Sequence, residues 1–169
     1  MTEQLINRVE KSGLLQVDFE EWLGDDLVKA LDLAEALEQG ILLREMTFRS
    51  WVKELDLEAY RGFTLAITCS TDALIPNWAY MLLANHLTNH GLVFYVGSIE
   101  QVYSSLLLDK VQAVDVEDYR DQRVVVKGCS TYQIHPQVYA AFASRLTPVV
   151  RSLSFGEPCS TVPIFKRKK

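Results

Sequence analysis

The chain holds three cysteines, and each opens the same tripeptide: Cys69-Ser70-Thr71, Cys129-Ser130-Thr131 and Cys159-Ser160-Thr161. The thiolate is the form of cysteine that ligates metals and attacks electrophiles. Backbone N–H groups or the positive end of a helix dipole beside it stabilise its charge. Three thiols drawn from separate loops suit a site with one open coordination position. Such a site takes zinc with a fourth ligand, or a cubane iron–sulfur cluster with one exposed iron. Cys69, Cys129 and Cys159 are therefore the candidate metal ligands. The possible additional ligands are His135, Asp72 and Glu157, each close in sequence to one of the tripeptides. No Cys-x-x-Cys pair is present, so the expectation rests on topology rather than on a sequential metal motif.

Other chemistries have less support. His86 and His90 have the i, i+4 spacing of metal-binding helices. They fall at the end of a helix running away from the Cys69 edge, roughly 20 Å off at the usual rise, and read as helix-end residues. A cysteine phosphatase needs Cys-x5-Arg, and the matching positions are Ile75, His135 and Phe165. Neither common glycine-rich phosphate loop is present. Two alternatives to a metal site stand. One is a persulfide carrier or thiol enzyme using a single thiolate, with Cys129 and His135 as one possible pair. The other is a non-catalytic interaction module whose cysteines only pack, since free cysteine is among the most buried residue types.

The elements that must position these residues follow from periodicity. Gln4 to Lys11 reads as a short helix ending at Ser12-Gly13, and Leu14 to Phe19 alternates as a short strand. From Asp26 to Gln39, Leu27, Ala30, Leu31, Ala34 and Leu37 fall at helical spacing, with Gly40 to terminate. A further helix carries Phe48, Trp51, Val52 and Leu55 on one stripe. Trp22 and Trp51 read as core residues rather than ligand platforms. Phe63 to Thr68 is a buried strand stopping at the first Cys-Ser-Thr. Pro76 opens a helix to His90, and Leu92 to Val96 is a second strand. Ser98 caps the next helix, with Glu100 and Gln101 near a capping-box arrangement. Val124 to Val126 leads through Gly128 to the second tripeptide, a helix follows Pro136, and Ser152 to Phe155 precedes the third.

Strands alternating with such helices predict parallel crossover units. The expected fold is α/β: a small parallel or mostly parallel sheet of about four strands with flanking helices. A mainly helical N-terminal region precedes it. The expected organisation is one domain over 1–169, with that region at 1–61, a βαβ core at 62–165 and a basic tail at 166–169. Ligands in open parallel sheets bind beyond the carboxyl ends of the strands. On this topology all three thiols fall at one edge.

At 169 residues, 49% hydrophobic and 23% charged, the chain has the composition of a globular domain. No apolar run reaches bilayer length, and Met1-Thr2-Glu3-Gln4 lacks the basic region of a secretory signal, so no membrane role and a cytoplasmic location are expected. Reduced thiols and an odd cysteine count agree. Net charge is −5, and without Lys166, Arg167, Lys168 and Lys169 it is 13 − 22 = −9. So acidic a body argues against nucleic acid as a partner, and the basic end reads as a solvated terminus. Oligomeric state is not legible.

The run Ala66-Ile67-Thr68-Cys69-Ser70-Thr71-Asp72-Ala73-Leu74-Ile75-Pro76 with Trp78-Ala79-Tyr80-Met81-Leu82-Leu83 resembles an uncharacterised bacterial domain-of-unknown-function family, DUF2480. Lys127-Gly128-Cys129-Ser130 and Gly156-Glu157-Pro158-Cys159-Ser160-Thr161-Val162-Pro163 extend the likeness over nearly the whole chain. The family has no established activity. The resemblance implies a role beside iron–sulfur assembly, with proteins of that pathway as partners. It also weakens His135 as a ligand, because the matching residue is not part of the family's pattern.

Overall fold

Two sheets, not one, organise the chain. In the computed structural model, residues 7–9, 13–128, 130–157 and 160–168 are described. The elements run β1 (Asn7–Val9), β2 (Leu14–Val17), α1 (Phe19–Leu23), β3 (Val28–Asp32), α2 (Glu45–Glu54), β4 (Thr64–Thr68), α3 (Asn77–Asn89) and β5 (Val93–Val96). They continue with α4 (Ile99–Ala113), β6 (Arg123–Val126), α5 (Pro136–Leu146), β7 (Ser152–Glu157) and β8 (Ser160–Lys166). Three 3₁₀ turns lie at Leu33–Ala36, Leu57–Tyr60 and Val116–Tyr119. No described helix is long and apolar enough to cross a membrane.

The chain divides into two compact units, Asp25–Val102 and Met1–Gly24 with Tyr103–Lys169. In the first, β3, β4 and β5 form a three-stranded parallel sheet. Its core gathers Leu31, Leu65 and Ile67 from the strands, Phe48 and Val52 from α2, and Ala79, Leu83 and Leu87 from α3. The four-residue spacing of those last three puts them on one helix face. Each fully buried leucine contributes about 1.5–3 kcal/mol.

In the second unit the sheet order is β1-β2-β6-β7-β8. The three central strands are parallel, and antiparallel β1 and β8 form the edges. The sheet is therefore mixed. Val124, Val126 and Leu153 pack against Val138, Phe142 and Leu146 of α5 and against Phe19 and Trp22 of α1. Phe19, Trp22 and Phe142 meet edge to face, with centroids 5.2–5.6 Å apart.

The expected N-terminal helical region is corrected in two places. Asn7–Val9 is a strand, because it pairs with Leu14–Val17 across the turn at Gly13. The stretch read as a helix from Asp26 to Gln39 is β3 followed by a 3₁₀ turn. Pairing with β4, from Val28↔Thr64 to Asp32↔Thr68, satisfies its backbone and buries Leu31 and Leu33 completely. Tertiary pairing here overrides a helical pattern whose first member, Leu27, lies 57% exposed. The last strand, β8, is an addition to the expected set. At the basic end, exposed Arg167 donates from Nη1 to Asp121 and from Nη2 to the Val149 carbonyl.

The two units share a local plan. Tyr60 and Tyr119 end equivalent 3₁₀ turns, 59 residues apart (119 − 60), and each is followed by an arginine. Arg61 pairs with Glu58 and Arg120 with Glu117. The same interval relates Thr64 to Arg123 at the strand starts, Tyr80 to Tyr139 on the helices, and Gly97 to Gly156 after or within the next strands. The buried triplets Ala79, Leu83, Leu87 and Val138, Phe142, Leu146 obey it as well.

Candidate functional site

The first Cys-Ser-Thr follows β4 directly. Asp32, at the end of the neighbouring β3, holds this loop. Its Oδ1 accepts the Ala34 N–H at 2.9 Å, capping the 3₁₀ turn, and the Ser70 N–H at 3.0 Å. Burial pushes the Asp32 carboxyl up, but hydrogen bonds from the Ser70 hydroxyl and from the Ala34 and Ser70 N–H groups outweigh it and hold it below its ordinary value. Cys69 Sγ lies 3.4 Å from Thr71 Oγ1.

A cavity of about 450 Å³ opens at this edge. Its floor comes from the ends of β4 and β5 at Ile67, Thr68 and Val96, and Cys69, Thr71 and Asp72 form one side. Tyr80 reaches in from α3, and Ser98 and Gln101 from the start of α4. The Ser98 and Gln101 pair is a capping box. Ser98 N donates to Gln101 Oε1 at 2.8 Å, and Gln101 N donates to Ser98 Oγ at 3.3 Å. Gly97 is needed beneath it, since at φ +141° a Cβ would stand 2.5 Å from Gln101 Oε1. Burial raises the Tyr80 phenol above its ordinary value, and negative charge on Cys69 adds to the rise. The phenol stays a donor at neutral pH. The lining thus offers a thiol, hydroxyls, an amide and one carboxylate over an apolar floor.

The expected three-cysteine site is overturned. The single sheet on which that expectation was built is two: β4 belongs to the three-stranded sheet, and β6 and β7 to the five-stranded one. Cys129 and Cys159 lie outside the described residues. Among the described residues no group of three or more His, Cys, Asp and Glu side chains is placed to hold a metal. The zinc or iron–sulfur reading therefore has no donor set among the described residues.

Each additional ligand has its own local setting. Asp72 shares the cavity with Cys69. His135 caps α5 instead: its Nδ1 accepts the Gln137 N–H at 3.2 Å, and its own N–H donates to Ser104 Oγ at 3.1 Å. Glu157 ends β7, with Oε1 buried and unpartnered among the described residues. At the end of α3, His90 Nδ1 lies 2.8 Å from the His86 carbonyl oxygen, and the two rings sit 4.6 Å apart. They are the helix-end residues that their position in the sequence suggested.

In the other unit, the second tripeptide's neighbours repeat the arrangement. Asp18 directly follows β2 and caps α1 by accepting the Glu20 N–H at 2.9 Å. Glu20 Oε2 then accepts the Thr131 N–H at 3.1 Å, as Asp32 does for Ser70. Buried Asp18 pairs with Lys127 Nζ at 2.7 Å. Asp32, Tyr80 and Gln101 were not singled out as site residues from sequence. The 59-residue spacing was the signal that would have flagged Tyr80 with Tyr139.

Together these features define an α/β chain with a polar, thiol-bearing cavity at the carboxyl edge of a parallel sheet. The chain belongs to the family described as Protein of unknown function (DUF2480), whose model matches residues 3–167. No curated protein matches the chain, and no solved structure matches it.

Proposed function

We propose that the chain is a binding protein for a small polar molecule, taken into the cavity beside Cys69. The cavity itself carries this reading. Its volume is within the roughly 300–1,000 Å³ of small-molecule sites, and it lies where parallel sheets bind ligands. The lining favours a ligand with several hydrogen-bonding groups: Asp72 and the Thr71 and Ser98 hydroxyls accept, and Tyr80 donates. Asp72 favours a neutral or cationic molecule over an anion.

The test is a thermal-shift screen of purified protein against neutral, cationic and anionic polar metabolites, repeated on Ala73→Phe, which fills the cavity wall. The expected result is a concentration-dependent rise in Tm for neutral or cationic compounds, lost in Ala73→Phe and weakened in Asp72→Asn. A rise of equal size in Ala73→Phe, or none with any compound, would overturn the reading.

A further inference from the structure

The internal repeat has a consequence for the five-stranded unit. The residues 59 positions after Ile67, Tyr80 and Val96 are Val126, Tyr139 and Phe155. The first three line the polar cavity, and the second three line a cavity of about 380 Å³. The two cavities therefore share three positions of the common plan, two on adjacent parallel strands or their ends and one on the helix. The rest of their lining differs: one adds Cys69, Asp72 and Gln101, the other Phe142, Leu153 and Ile164.

We propose that this cavity of the five-stranded unit is a second binding site, for a small uncharged apolar molecule. It does not depend on what the polar cavity binds. Four observations choose the occupant. The walls are almost wholly carbon, with the Tyr139 hydroxyl and Ser154 as the polar groups, so a charge placed there would lose hydration without a partner. Burial, with the Asp18 charge adding to it, pushes the Tyr139 phenol up, so Tyr139 brings no charge of its own. The volume fits a small molecule, whereas a protein partner needs about 800 Å² from each side. Finally, β8 beside it is an edge strand interrupted by Pro163, which has no N–H to give an added strand.

Tyr139 stands edge to face with Phe155 at 5.5 Å, and Ile164 forms a half-exposed rim. Gly128 keeps the Phe155 ring in place, since a Cβ there would meet it at 3.0 Å. The apolar contribution scales with area at about 25 cal/mol per Å².

The experiment is a methyl NMR titration of the full chain with 1-hexanol. Saturable shifts are expected at Val126, Leu153 and Ile164, with Leu83 and Leu87 of the other unit unmoved. Ala140→Phe, at an exposed position on the cavity wall, should weaken binding at least tenfold with an unchanged Tm. Ile164→Ser at the rim gives a second reading should that variant fail to fold, and it should also weaken binding. Non-saturating shifts spread over both units, or undiminished affinity in the folded variants, would overturn the proposal. So would shifts that follow protein concentration alone, which would make the face a contact between copies of this chain.

Discussion

Asp32 accepts the backbone N–H of Ser70 at 3.0 Å, across 38 residues of sequence, with the same oxygen that caps its own 3₁₀ turn. One carboxylate thereby ties the end of β3 to the loop after β4. Ser70, the residue so held, directly follows Cys69 of the cavity.

Asp32→Ala should destabilise the protein by about 1–2 kcal/mol, the usual cost of a lost cap, and should speed alkylation of Cys69 by loosening its loop. Asp32→Asn keeps an acceptor oxygen and should fall between Ala and wild type. Urea denaturation gives the first quantity. Iodoacetamide kinetics followed by peptide mapping at Cys69 give the second, and an unchanged rate in Asp32→Ala would show that the tie does not position the thiol.

The same residue sets an acid dependence. Its carboxyl is held below the ordinary 3.8 in the folded protein, so the unfolded chain takes up its proton first as pH falls. The stabilisation is fully present above the unfolded value and is lost as pH drops through the lower folded value. The stability gap between wild type and Asp32→Asn should therefore be widest near neutrality and shrink below about pH 4. Denaturation midpoints at pH 7 and pH 3 decide it.

Lys127→Met should lower Tm by several degrees, because it strands the buried Asp18 carboxylate without its partner. Adding Asp18→Asn should recover part of the loss, since the amide oxygen can still accept the Glu20 N–H. Additive losses in the double variant would show that the pair is not coupled.

Gly156→Ala should cost roughly 1–3 kcal/mol, because φ +119° strains any L side chain and the new Cβ would stand 2.7 Å from the Ser160 carbonyl oxygen. Gly97→Ala meets the end of a Gln101 side chain instead, which can swing away at the expense of its cap. Its loss should be the smaller. Equilibrium denaturation of the two variants side by side checks the order.

Leu83→Ala should cost about 2–5 kcal/mol and Phe142→Ala about 3–5 kcal/mol, each from a separate core. Amide exchange should rise most in β4 for the first and in β6 for the second. Equal rises in both sheets for either variant would mean that the two cores open together.

Local chemistry was legible wherever a signal is confined to a few neighbouring residues. Pro76 and Pro136 open helices, Gly91 closes one, and Ser98 with Gln101 makes the capping box that their spacing announced. The apolar runs ending at Thr68, Val96 and Val126 are strands. Trp22 is core, as its neighbours implied. The sequence also determined that Cys-Ser-Thr occurs three times, each copy at or near a strand end.

Tertiary structure alone decided which strands pair. Nothing local distinguishes β4 from β6 as members of different sheets. That choice is made by partners far away in sequence, β3 for one and β2 and β7 for the other. It removed the single sheet edge on which the three-thiol expectation was built. It also turned Val28–Asp32 from an apparent helix into a strand, since an available ladder partner outweighs a weak helical period. In doing so it put Asp32 within reach of Ser70.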